Sequence, residues 1–236
     1  MRLYLSQNDI EIIGESVLRD YATNGRSRIR IPFDISEFAR QYLKLAIHHR
    51  KLSESGKILG LTTYKDVELE LELGDGNVVV TVPEDTILLD ESLEKPDSRR
   101  RGRFTVAHEC AHQVIARIEE QQTGSSFRKA LVSGRTYSCR ELKTAEDWCE
   151  WQANSLGAVL LMPRNEIAAD MDKGFKPFRP TLYGSHFNTP DYYRIRSLAD
   201  RYGVSITAMI LRLKELGYIC RRPESEYSDP LDIIAG

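Results

Sequence analysis

Between Phe104 and Ile118 the chain commits to a helix. Ala107, Cys110, Ala111, Val114, Ile115 and Ile118 recur three and four residues apart, the spacing of one buried stripe. His108 and His112 stand off that stripe and are themselves four apart, so they lie one above the other on a single face. Two imidazoles in this relation can grip one divalent ion. Glu109 adjoins the first and can reach a water on that ion to take its proton. A chain of this composition produces such a motif by chance roughly once in a hundred, so the surroundings must carry part of the case. Here they are small or aliphatic: Val106, Ala107 and Ala111.

A catalytic zinc takes three protein ligands and keeps a fourth position open. A second helix is expected over Ala145–Met162, opened by Thr144 and stopped by Pro163. It offers Glu150, with Glu146 and Asp147 as rivals. Asn154 follows Glu150 by four residues, where a polar side chain can hold the far nitrogen of a ligand imidazole. Ala153, Gly157 and Ala158 share that face and are small enough for two helices to approach closely.

Elsewhere the clearest pattern is a hairpin. Residues 67–73 read VELELEL and 78–82 read VVVTV, joined by Gly74-Asp75-Gly76-Asn77. The first strand should have an acidic, solvated face and the second should be mostly covered. Thr86–Leu89 suggests another strand. Ser6 can cap a helix carrying Ile10, Ile13, Val17, Leu18 and Tyr21. Asp34–Glu37 starts a second helix through Phe38, Tyr42, Leu45 and His49. His48 and His49, expected at its end, point to different faces and do not jointly suit one ion. Arg99–Arg103 reads as a basic solvated loop, 121–143 as polar and irregular, and 171–190 as a connection. Two helices, about 191–202 and 205–216, follow.

Charge and cysteines narrow the classes. Lys and Arg total 33 against 35 Asp and Glu, a formal charge of −2, which argues against direct nucleic-acid binding by the whole chain. Four scattered cysteines make no disulfide framework and read as reduced thiols. No segment approaches eighteen apolar residues and the N-terminus lacks a signal-peptide pattern, so a soluble, cytoplasmic protein with no membrane partner is expected.

Taken together, RFTVAHECAHQVI at 103–115, EWQANSLGAVLLMP at 150–163, the upstream Thr86–Asp90 and LADRYGVSITAMILRLKELGYI at 198–219 resemble the ImmA/IrrE family of metallo-endopeptidases. The resemblance implies an α+β fold with a minimal zincin-like core over 1–187. That core is a small twisted sheet, the H-E-x-x-H helix and a Glu-bearing helix, followed by a helical, helix-turn-helix-like module over 188–236. It implies one zinc ion held by His108, His112 and Glu150, Glu109 as catalytic base, and Asn154 bracing a ligand. It also implies a protein substrate, a helix-turn-helix transcriptional repressor whose cleavage relieves repression of mobile-element or stress genes. Ala111 replaces a glycine common in the family, and Ala116 and Arg117 stand where many members carry a further histidine.

Further expectations follow from this chemistry. A zincin holds its substrate extended along an edge strand, for which 78–82 and 86–89 are candidates. A donor beside the metal is needed for the tetrahedral intermediate, and His186, Tyr183, Tyr192 and Tyr193 are available without sequence choosing among them. Cys110 reads as a core residue. A thiol able to occupy the open metal position is best placed at Cys139, while the part played by Cys149, next to Glu150, is left open. Two other classes compete: a zincin-fold sensor with little turnover, and a DNA-binding regulator acting through 198–219. The second helix of that pair carries only Arg212 and Lys214, beside Glu215, as basic residues.

Overall fold

The computed structural model describes residues 3–24, 29–74, 76–123, 131–133, 144–174 and 179–227. The fold is mixed α+β. It divides into two compact units, Met1–Leu161 and Met162–Gly236, so the division falls earlier than the expected 187/188 boundary.

The first unit is built on a four-stranded sheet of order β1-β5-β2-β6, with β1 Ala46–Arg50, β2 Gly60–Thr63, β5 Thr86–Asp90 and β6 Leu131–Ser133. β1 runs parallel to β5, while β2 is antiparallel to both β5 and β6. The two central strands are buried at every position, which suits their unbroken GLTT and TILLD sequences. Alternation then assigns their faces. Thr62 Oγ1 accepts a hydrogen bond of 2.8 Å from Gln113 Nε2 on α3, the helix Arg99–Thr123. Leu61 points the other way, into a cluster with Leu52, Val82 and Leu88. That opposite face is covered by the hairpin of β3 (Val67–Leu73) and β4 (Gly76–Val82), through Val67, Leu69 and Val80.

Two helices complete this unit. α4, Ala145–Leu161, lies along α3, and α1, Gln7–Asn24, lies along α4. Close approach is enforced by glycine at both contacts. A Cβ on Gly157 would stand 3.2 Å from the backbone of Ala107 and His108, and one on Gly14 would run into Val159. α1 opens on a reciprocal cap between Ser6 and Asp9, and α4 on one between Thr144 and Asp147.

The helix expected from Asp34 is only α2, Ile35–Glu37, followed by a π-type turn at Phe38–Tyr42. Lys44, at φ 60°, turns the chain out of it, and His48 and His49 sit on β1 because pairing with β5 overrides local helical spacing. Arg99–Arg103 is the first turn of α3 rather than a loop. β6 lies inside the stretch expected to be irregular. β4 is mostly exposed, because only its Val80–Val82 end reaches the shared core.

The second unit holds α5 (Arg164–Gly174), β7 (Thr181–Tyr183), β8 (His186–Phe187), α6 (Thr189–Tyr202), α7 (Ile206–Glu215) and β9 (Cys220–Arg222). Its sheet runs β8-β7-β9. The α6–α7 turn is short and well specified. Gly203 takes the left-handed conformation at φ 63°, Val204 is buried, and Ser205 Oγ caps α7 by accepting from Ala208 N–H. Asp170 on α5 accepts hydrogen bonds from Arg201 and the Tyr202 hydroxyl. Among the described residues no helix is long and apolar enough to cross a membrane.

Candidate metal centre

The middle of α3 is buried on all sides, with the sheet on one and α4 on the other. The motif histidines therefore do not stand at the edge of a buried stripe: His108 is 4 % exposed and His112 and Glu109 are 0 % exposed. An interior cluster of this kind is costly unless its charges compensate one another.

The i, i+4 spacing brings the rings of His108 and His112 edge to face, 4.6 Å between centroids, with their Nε2 atoms 3.0 Å apart. α4 delivers Glu150 against both. One carboxylate oxygen lies 3.4 Å from His108 Nε2 and the other 3.3 Å from His112 Nε2. Neither oxygen has a hydrogen-bond partner among the described residues, although Glu150 is only 6 % exposed. Asn154, one turn further along α4, puts its amide oxygen 3.0 Å from Nδ1 of His108. That contact makes Nδ1 the nitrogen carrying the proton, so Nε2 offers its lone pair toward Glu150. Glu146 and Asp147 lie in the first turn of α4, where Asp147 takes part in the helix cap, and neither belongs to the cluster.

The electrostatics follow from this geometry. Burial by itself raises the Glu150 carboxyl, but the imidazoles of His108 and His112 set against it outweigh that and hold the group at about 2. Burial lowers the His108 imidazole, whereas Glu150, Glu109 and Asn154 together raise it. Two imidazole nitrogens and a carboxylate thus converge in a space nearly closed to water. The arrangement calls for positive charge at its centre, and among the described residues His108, His112 and Glu150 form the one group able to hold a metal ion.

Glu109 extends from α3 toward the sheet, where β2 carries no side chain in its way. A Cβ on Gly60 would lie 3.0 Å from Glu109 Oε1 and 2.6 Å from the methyl of Thr105. The sequence marks Gly60 only as a glycine before a short strand, so its part in admitting Glu109 is visible only in three dimensions.

Tyr183 and His186 belong to the second unit, opposite each other on β7 and β8. His186 is exposed and faces Glu224 at 3.5 Å. Tyr192 and Tyr193 are exposed on α6. Cys110 is fully buried in α3, and burial pushes its thiol far up, which makes it a core residue. Cys149 is also buried, and Cys139 lies outside the described residues. On α7, Arg212 is not a surface cation: it is 1 % exposed and bonds the Met162 carbonyl through Nε at 3.1 Å.

No protein-family model matches the chain, and no curated protein matches it. A solved structure described as a Mycobacterium tuberculosis transcriptional regulator is similar over 88 % of this chain at 14 % identity, with a TM-score of 0.45. The chain spans 48 % of that protein's length.

Proposed function

We propose that the protein is a zinc-dependent endopeptidase of the ImmA/IrrE type with a zincin-like core. The observation that carries this reading is the buried His108-His112-Glu150 cluster with Glu109 beside it. Ligand atoms at 2.0–2.1 Å in a tetrahedral zinc site lie about 3.3 Å from one another. The separations of 3.0, 3.3 and 3.4 Å in this cluster match that requirement, and two imidazoles with one carboxylate is a donor set suited to zinc.

In this reading His108, His112 and Glu150 hold the ion, and Asn154 fixes the ring and tautomer of His108. A zinc ion bound there supplies Lewis acidity, which acidifies water and polarises a peptide carbonyl. Glu109 accepts the proton of the attacking water and delivers it to the leaving amine. Its carboxylate has room beside Gly60.

The substrate strand requires a change from the sequence-based candidates. Residues 86–89 lie in β5, which is paired on both sides and offers no edge. Residues 78–82 lie in a hairpin packed on the sheet face away from α3. Among the described residues, the edge adjoining the Gly60–Glu109 contact is β6, whose Ser133 pairs with Gly60. β6 is therefore the strand along which an extended substrate would add. A helix-turn-helix repressor as that substrate is part of the same proposal and rests on the family resemblance.

The test is to incubate the full chain, zinc-loaded, with a helix-turn-helix repressor, taken from a gene beside its own where one is encoded there. Cleavage by the wild type and its loss in Glu109→Gln at equal zinc content is the expected result. Zinc binding without cleavage of that repressor or any other protein would favour the sensor reading. Arg212 being buried leaves Lys214 as the basic residue α7 can present, which weakens the DNA-binding alternative.

A further inference from the structure

We propose that the outer edge of β4, unpaired among the described residues, is a two-fold interface by which two copies of this chain pair, β4 against β4, into a continuous four-stranded sheet. This proposal is independent of the metal centre.

The hydrogen-bonding parity of the hairpin is fixed by its turn. Leu73 pairs with Gly76 across a two-residue turn, so these two exchange both main-chain hydrogen bonds. Alternation along the ladder then turns the N–H and C=O groups of Gly76, Val78, Val80 and Val82 toward β3. Those of Asn77, Val79 and Thr81 face outward. Among the described residues no strand pairs with that outer edge.

Edge strands are ordinarily protected by charge, proline or a bulge. β4 has none of these. It reads Gly-Asn-Val-Val-Val-Thr-Val, and Val78 and Val79 are 39 % and 64 % exposed. β3 is the opposite case, because the residues whose main-chain groups face its own outer edge are Glu68, Glu70 and Glu72.

Charge therefore selects among the ways two copies can pair. β3 on β3 sets glutamates opposite glutamates, which is unfavourable. β3 on β4 is head-to-tail and leaves both an acidic and an uncharged edge open. Only β4 on β4 is free of charge and closes on itself by a two-fold axis.

The register follows as well. An antiparallel self-pairing must set outward-facing residues opposite one another, with its axis at one of them (77, 79 or 81) or at a non-hydrogen-bonded pair between them (78 or 80). The axis at Val79 overlaps the whole of Gly76–Val82. Val79 then meets Val79 of the second copy, Asn77 meets Thr81, and about six main-chain hydrogen bonds form. Such a contact is small beside a standard interface, so the dimer should be weak and concentration-dependent.

Sedimentation equilibrium of the full chain tests this. The weight-average mass of the wild type should climb with concentration from 27.0 kDa toward twice that value. Val79→Pro deletes the N–H at the axis while removing no bond to β3, and proline is tolerated at such an outward edge position. Val79→Lys keeps the N–H but sets two like charges face to face. Both should weaken association on the order of tenfold or more with unchanged far-UV circular dichroism, whereas Val79→Thr should associate as the wild type does. A wild type that stays monomeric up to its solubility limit overturns the proposal. So does association undiminished in folded Val79→Lys.

Discussion

Nδ1 of His108 lies 3.0 Å from Oδ1 of Asn154, a side chain on the neighbouring helix. The contact fixes which nitrogen of His108 faces Glu150, yet Asn154 contributes no ligand atom. Replacing it by alanine should leave the fold intact and lower zinc affinity about 10–100-fold. Competition against a chromophoric chelator measures this, and an unchanged affinity would remove Asn154 from the account.

Gly157 sets the distance between the two helices that carry the cluster. Its missing side chain faces the backbone of Ala107 and His108 at 3.2 Å, and backbone has no rotamer through which to yield. Gly157→Val should destabilise the protein by about 1–3 kcal/mol and reduce zinc content along with it. Urea denaturation and metal analysis of the same preparation provide both readings. Equal stability to wild type would show that the helices are free to separate.

Asp90 ends β5 and accepts hydrogen bonds from the backbone N–H groups of Leu52 and Ser92, both at 3.0 Å. Burial pushes its carboxyl up, but these bonds and the nearby Lys51 charge prevail and hold it below the usual range. A depressed folded-state pKa means the stabilisation is full above the unfolded value of about 3.9 and is lost as pH falls through the folded one. Asp90→Asn should cost about 1–3 kcal/mol near pH 7 and flatten the fall in stability below about pH 4. Denaturation curves of both proteins across pH 2–7 make the comparison, and parallel curves would dismiss the carboxylate's role.

Much of this arrangement was legible in the chain because it depends on local spacing. The i, i+4 relation of His108 to His112, and of Glu150 to Asn154, follows from helix geometry, and α4 begins and ends where Thr144 and Pro163 place it. What escaped was set by partners distant in sequence. His48 and His49 look helical until β5, some forty residues later, claims them for a sheet. Complete burial of the histidines depends on α3 being covered from two sides, which no periodicity within α3 announces. β4 looks like a covered strand from composition, but a strand at the end of a hairpin is covered only where another layer reaches it. Gly60 admits Glu109 from fifty positions away.

The central claim is that His108, His112 and Glu150 together hold one zinc ion. Native mass spectrometry of the full chain after equilibration with equimolar zinc tests it most directly. One zinc per 27.0 kDa chain is expected for the wild type and for Glu109→Gln, with none retained by His112→Ala or Glu150→Ala. A wild type that takes up no zinc, or His112→Ala and Glu150→Ala binding it as tightly as wild type, would contradict the account.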